Sequence, residues 1–130
     1  MNYILLFGRV FYSLIFMLTI TSHFGADAIK YAEMNEVPAA NILVPLSGII
    51  AFAGGLCIAL GYQARVGAVL IVLFLVPVTF FMHAFWKMDD PQQYQMQMIA
   101  FTKNLSLLGG AFIIGYFGSG PASIDALSKR

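Results

Sequence analysis

The sequence has few charged residues. Only 10% of its 130 residues are charged, against roughly 25% in soluble domains, whereas 60% are hydrophobic. So few polar groups cannot cover the apolar surface of a soluble fold. The 17 residues 66–82 carry no charge at all. The composition therefore predicts an integral membrane protein, with the lipid bilayer as its first partner.

Cysteine is almost absent, and the net charge is close to zero. Cys57 alone excludes an intramolecular disulfide, a CxxC redox pair and a multi-cysteine metal site, and we assign no metal ligands. The 7 basic and 6 acidic residues give a net charge of +1 and form no basic stripe. Nucleic acid is therefore excluded as a partner.

Four apolar segments, each about 20 residues or slightly more, predict four transmembrane helices. They cover residues 3–22, 42–62, 64–85 and 96–117. Helices are required because an open sheet would leave backbone polar groups unpaired in lipid. The predicted fold is an all-α membrane protein, a single four-helix transmembrane bundle over residues 1–130.

The connections between these spans differ in character. Residues 23–41 predict a short amphipathic helix, with Ala32 among the side chains that face lipid. Residues 61–65 predict a tight turn. Residues 87–95, KMDDPQQYQ, predict a polar loop in which Pro91 breaks the helix.

The basic residues predict the orientation of the chain. An even number of spans places both termini on one side of the membrane. Arg65, Lys129 and Arg130 lie on that side, whereas Lys30 and Lys87 lie on the other. By the positive-inside rule, this three-to-two distribution predicts that both termini are cytoplasmic.

Small residues recur at every fourth position of the second span: Ser47, Ala51, Gly55 and Ala59. Such a stripe allows another helix to come close in the membrane. We expect it to pack against a helix of the same bundle. A contact between two copies of the chain is the alternative.

Arg9 is a cation inside the first span, where a charge at the helix centre costs about 2.5–3.5 kcal/mol. It can snorkel to the headgroups, or face the bundle and form an ion pair at the inner side with Asp125 or an anionic ligand. Tyr12, Phe16 and His23 share its helical face. We therefore expect this face to look into the bundle.

A second polar group is predicted at the outer side. His83 and Trp86 end the third span, His23 ends the first span at the same level, and Lys103 and Asn104 enter the fourth span from that side. An amide and an ammonium in an apolar helix need hydrogen-bond partners. The five residues form a candidate polar cluster or ligand pocket. The alternatives are an aromatic-belt position for Trp86 and snorkelling for Lys103.

Five short motifs follow one another along the chain: FGR at residues 7–9, a small-residue run at 54–61, HAFW at 83–86, KNLSLLGG at 103–110 and GSGPASID at 118–125. In this order they resemble the DoxX family of small membrane proteins over almost the whole chain. The resemblance implies a four-helix protein of the bacterial inner membrane. It also implies relatives such as the small subunit of thiosulfate:quinone oxidoreductase and proteins linked to oxidative or thiol stress.

The resemblance places the family's polar positions on residues already singled out. It defines the fold better than the function, because roles vary widely among such proteins. One departure concerns Lys30, which is displaced from the usual position of a lysine after the first span. The polar positions are Arg9, His83, Lys103, Asn104 and Asp125.

Two functions compete, and a transporter, a lipid-binding protein or a haem carrier is left as a further alternative. The first is a non-catalytic subunit that anchors or assembles a larger membrane complex with a protein partner or a second copy. The second is a redox component linked to quinone or thiol stress, with a ligand pocket at the outer end. Histidine changes protonation near neutral pH and therefore suits a quinone head.

No catalytic residue is assigned, enzyme activity is left open, and no cofactor is evident. A quinone is compatible with the outer cluster. Haem has little support, because His23 and His83 near two helix ends are weak evidence for paired axial ligands. An absorption spectrum would test it.

Overall fold

Helices account for all the regular structure that is described. The computed structural model describes residues 2–129, which contain no strand. Two short 3-10 helices, Ile20–Phe24 and Phe85–Lys87, follow the first and fourth α-helices. The α-helices are α1 (Asn2–Leu18), α2 (Ala26–Met34), α3 (Ala40–Leu60), α4 (Ala64–Met82), α5 (Pro91–Phe117) and α6 (Ile124–Ser128).

Four helical segments within residues 2–129 are long and apolar enough to cross a membrane. The all-α class with four membrane-length helices, predicted from the sequence, is thus confirmed. These helices pack in the order α1, α3, α4, α5. The hydroxyl of Tyr12 donates to the carbonyl oxygen of Leu107 at 2.6 Å and ties α1 to α5. The four segments are Tyr3–Phe24, Ala40–Leu60, Ala64–Lys87 and Pro91–Phe117.

Two glycines bring the backbones of α3 and α4 into contact. A Cβ atom on Gly67 would lie 2.8 Å from the carbonyl oxygen of Gly54, and one on Gly54 would lie 2.9 Å from that of Gly67. The neighbouring Ile58 and Ile71 have no exposed surface. Close backbone approach of this kind holds membrane helices together where no hydrophobic effect does so.

The small-residue stripe on α3 packs inside the bundle, as expected. A Cβ atom on Gly55 would lie 3.1 Å from the Cβ atom of Phe16 on α1. Ala51, one turn earlier, is buried in the core with Phe16. This face of α3 is therefore covered by a helix of its own chain.

We call the end of the bundle where α1 and α4 end and α5 begins the outer end, and the opposite end the inner end. At the outer end, the prediction of a polar loop through residue 95 was wrong, because α5 begins at Pro91. In the first turn, the missing N–H of proline breaks no helical hydrogen bond. The Asp90 carboxylate accepts from the backbone N–H of Gln93 at 2.9 Å and caps the helix. Pro91 thus starts the helix that it was predicted to break.

The amphipathic helix predicted between the first two spans is present as α2. Its apolar face packs against α3 rather than facing lipid as predicted. Ala32 is fully buried, while Lys30 and Glu33 are exposed. This helix therefore covers part of the bundle near the outer end.

Candidate functional site

At the inner end, Arg9 holds residues 118–129, the segment that follows α5, which we call the tail. Its guanidinium donates to the carbonyl oxygens of Ser119 and, at 2.5 Å, of Ala122. Gly61 provides the room, since a Cβ atom there would lie 2.9 Å from Arg9 Nη1. Arg9 is only 5% exposed. It therefore faces the bundle and the tail instead of snorkelling along the lipid.

Asp125 fixes the same tail from the other side. Its carboxylate accepts from Ser119 Oγ at 2.5 Å and from the backbone N–H of Gln63 at 3.0 Å. These hydrogen bonds, that of Ser119 foremost, hold the pKa of the Asp125 carboxyl below its ordinary value because they favour the charged form. In residues 2–129, Arg9 and Asp125 meet through Ser119 rather than in a direct ion pair.

At the outer end, a cavity of about 620 Å³ lies between α2, α3 and α4. Its wall is mostly apolar and includes Leu46, Leu73, Pro77 and Phe81. Leu46 is 45% exposed and Leu73 is 60% exposed, so the cavity opens on the lateral surface that would face lipid. The volume lies within the roughly 300–1,000 Å³ typical of small-molecule sites.

The polar groups of this wall come from four parts of the chain. His23 follows α1 and His83 follows α4, and the structure brings both to the cavity although sixty residues separate them in the sequence. The polar lining residues are Ser22, His23, Tyr31, Ser47 and His83.

His23 is held by the end of α1. Its Nδ1 lies 2.9 Å from the carbonyl oxygen of Thr19, and its ring packs edge-on against Phe74, with the centroids 5.7 Å apart. A Cβ atom on Gly48 would lie 2.5 Å from the Cβ atom of His23. A glycine on α3 is thus required for this placement of the imidazole.

His83 belongs to a hydrogen-bonded chain that joins α2, α4 and α5. Its Nδ1 lies 2.8 Å from Gln97 Oε1, and Gln97 Nε2 donates to the Tyr31 hydroxyl at 2.9 Å. The hydroxyl of Tyr31 donates to the carbonyl oxygen of Met82 at 3.3 Å. That carbonyl is free because α4 ends at Met82 and leaves its last acceptors without helical partners.

The other three residues of the predicted outer cluster do not line the cavity. Trp86 is 52% exposed and packs against Phe101, with the ring centroids 5.8 Å apart. Asn104 is buried and Lys103 is exposed. Successive side chains of an α-helix point roughly 100° apart, so α5 turns one of these two toward the bundle and the other away.

Sequence reasoning missed Tyr31 and Gln97. Both could have been found, since Gln97 is an uncharged polar residue at the level of His83 and Tyr31 lies on the amphipathic segment. Within residues 2–129, no three His, Cys, Asp or Glu side chains converge where they could hold a metal ion.

These features define a small helical membrane protein, with a tail bound at one end of the bundle and an apolar cavity at the other. The model of the SURF4 family matches residues 1–130, and the chain belongs to this family. It is also similar to the inner membrane protein YqjF of Escherichia coli (strain K12), with 29% identity over 111 residues. That alignment covers 85% of this chain and 78% of YqjF. No solved structure matches the chain.

The identification with the DoxX family was wrong. It depended on short motifs such as those at residues 54–61 and 118–125, whereas the SURF4 family model matches the chain from end to end and the similar protein is YqjF. Glycine pairs and small-residue runs occur wherever membrane helices pack closely. Such motifs therefore indicate an architecture rather than a family, and the roles implied by the resemblance lose that support.

Proposed function

We propose that this protein binds a membrane-dissolved amphiphile of the quinone class in the outer cavity. The observation that carries the proposal is the placement of His23 and His83 on one cavity of about 620 Å³ with a mostly apolar wall. An apolar wall accommodates a ring and its tail, and a few polar groups orient the head. The lateral opening beside Leu46 and Leu73 allows entry from the bilayer.

We infer that the protein acts in the bacterial inner membrane with both termini cytoplasmic. The similarity to an inner membrane protein of Escherichia coli supports the membrane. Arg65 and Lys129, both at the inner end, support the orientation. Arg130, the third basic residue of that side, lies outside the described residues. This orientation places the outer cavity in the non-cytoplasmic leaflet.

Quinone binding is tested by measuring the affinity of purified protein in lipid nanodiscs for decylubiquinone and its reduced form. Two substitutions act on the cavity: His83→Ala removes a polar contact, and Ser47→Leu fills space. We expect each to weaken binding by about tenfold or more, since a lost buried hydrogen bond or a steric clash is of that order.

Val66→Leu is the matched control, because Val66 is 50% exposed on α4 and does not line the cavity. It should bind like the wild type. Failure of the wild-type protein to bind either form would contradict the proposal, as would equal binding by the wild type, His83→Ala and Ser47→Leu.

Lys103 favours a second candidate function, that of a subunit in a membrane complex. It lies six residues, or about 9 Å of helix rise, below Gln97, and it is exposed on α5. A charge facing lipid is costly. A partner helix carrying a carboxylate would cover this face of α5.

This second candidate is tested by native mass spectrometry of complexes extracted without detergent. Lys103→Leu should reduce the amount of co-purified protein, whereas Lys87→Leu, at the exposed end of the 3-10 helix Phe85–Lys87, should leave it unchanged. Recovery of single chains with lipid alone from the wild type would contradict it.

A further inference from the structure

The hydrogen bond of His23 determines which ring nitrogen is available to a ligand. The carbonyl oxygen of Thr19 can only accept, so His23 Nδ1, 2.9 Å away, must carry the proton. A neutral imidazole has a single N–H. The Nε2 atom of His23 is therefore a lone-pair acceptor.

The hydrogen-bonded chain of His83 likewise places the ring proton on Nδ1. The hydroxyl of Tyr31 donates to the Met82 carbonyl, so its oxygen accepts from Gln97 Nε2. This leaves Gln97 Oε1, which can only accept, facing His83 Nδ1 at 2.8 Å. His83 Nδ1 therefore carries the proton, and its Nε2 is also an acceptor.

The hydroxyl groups that line the cavity also donate their protons to backbone carbonyl oxygens. Ser22 Oγ donates to the carbonyl oxygen of Thr19 at 2.6 Å, and Ser47 Oγ donates to that of Val44 at 2.7 Å. Tyr31 has likewise used its only hydroxyl proton. A hydroxyl has one proton and two lone pairs, so each of these groups presents only lone pairs to a ligand.

We propose that the outer cavity is built of hydrogen-bond acceptors and binds the reduced quinol in preference to the oxidised quinone. This inference rests on the proposed quinone function. The two hydroxyls of a quinol donate, whereas the carbonyls of a quinone only accept. A carbonyl placed against the Nε2 lone pair of His23 or His83 would leave two acceptors unpaired in an apolar wall, which is unfavourable.

The test measures dissociation constants for decylubiquinol, decylubiquinone and the dimethyl ether of the quinol, with purified full-length protein in phosphatidylcholine nanodiscs under anaerobic conditions. The ether keeps the shape of the quinol but has no donor. We expect the quinol to bind about tenfold or more tightly than the quinone, because leaving one buried acceptor unpaired lowers the affinity by about that factor. The ether should bind as weakly as the quinone.

His83→Gln gives the site a side-chain N–H₂ donor, so it should bring the quinol-to-quinone affinity ratio toward one. Ser47→Ala removes an acceptor without adding a donor and should keep the ratio above one. The ratio compares two ligands on one preparation, so incomplete folding of a variant does not alter it.

Three results would overturn the inference. Equal affinity for quinol and quinone in the wild type would refute the direction of hydrogen bonding while leaving a quinone site in place. Binding of neither form would refute the proposed function as well. A Soret band in the purified protein that is lost in His23→Ala and His83→Ala would show that these histidines serve as iron ligands instead.

Discussion

Arg9 and Asp125 bind the two sides of the same residue, Ser119. The guanidinium of Arg9 donates to the carbonyl oxygen of Ser119, and the carboxylate of Asp125 accepts from the Ser119 hydroxyl at 2.5 Å. Asp125 also accepts from the backbone N–H of Gln63 in the turn between α3 and α4. The first helix, this turn and the tail are thereby joined at the inner end, so changes at Arg9 and at Asp125 should loosen the same contact.

Arg9→Gln should lower the free energy of unfolding by about 1.5–3 kcal/mol, the usual contribution of a hydrogen bond to a charged group. Arg9→Lys should recover only part of the loss. It keeps the positive charge, but its single ammonium cannot reach the carbonyls of both Ser119 and Ala122 as the forked guanidinium does. Unfolding in mixed micelles with increasing dodecyl sulfate measures the effect. Lys87→Gln, at the exposed end of the 3-10 helix Phe85–Lys87, is the control and should stay within about 0.5 kcal/mol of the wild type. A loss no larger than the control's would contradict the tail contact.

Asp125→Asn should lower the thermal midpoint at neutral pH. The lowered pKa of Asp125 means that its ionised form stabilises the fold above the ordinary aspartate pKa of about 3.9. This contribution is lost as the pH falls through the lower pKa of the folded state, so wild type and variant should converge in acid. Midpoints recorded from pH 7 downward test this, with Asp89→Asn as the exposed control. A gap that does not change with pH would count against the assignment.

Gly67→Ala should destabilise the protein by roughly 1–3 kcal/mol, as overpacking of a filled core does. The added Cβ atom would lie 2.8 Å from the carbonyl oxygen of Gly54, which is backbone and cannot move aside alone. Gly109→Ala is the matched control, since a Cβ atom there meets nothing within 4 Å. It should be neutral or stabilise the helix by up to about 1 kcal/mol. Similar effects of both substitutions on dodecyl sulfate unfolding would refute the close contact.

Asp90→Ala should fray the first turn of α5 and lower stability by about 1 kcal/mol, because Asp90 caps the backbone N–H of Gln93. Hydrogen exchange at residues 92–94 measures the fraying directly. Asp89→Ala removes the neighbouring charge without the cap and should leave exchange unchanged. Equal acceleration by the two variants would assign the effect to charge rather than to capping.

The membrane-spanning helices could be predicted because long uncharged, apolar segments are enough to indicate them. Seventeen uncharged residues from 66 to 82 are compatible only with a buried or membrane-embedded segment, and α4 contains them all. The start of α5 was missed because proline can both break and begin a helix. Its role at Pro91 depends on the preceding residue, Asp90, whose carboxylate supplies the cap.

The candidate site could be predicted less well, because on α5 the depth of a residue is readable from the sequence and the direction of its side chain is not. His23 and His83 were assigned to one membrane level, and both line the cavity. Lys103 has nearly the same depth as Asn104 but points outward, and the hydrophobic pattern of α5 is too uniform to show which one faces in. Tyr31 reaches His83 only through Gln97, a relation that no spacing in the chain encodes.

The contact between Gly54 and Gly67 also bears on how the chain is made. Three residues separate α3 from α4, so the two helices leave the ribosome in immediate succession and can zip together backbone to backbone as soon as both are in the bilayer. Such a hairpin needs no later segment for its own packing. α1, which is synthesised first, can pack against α3 of this hairpin. α5, synthesised last of the four, then packs against α4 and accepts the hydrogen bond from Tyr12.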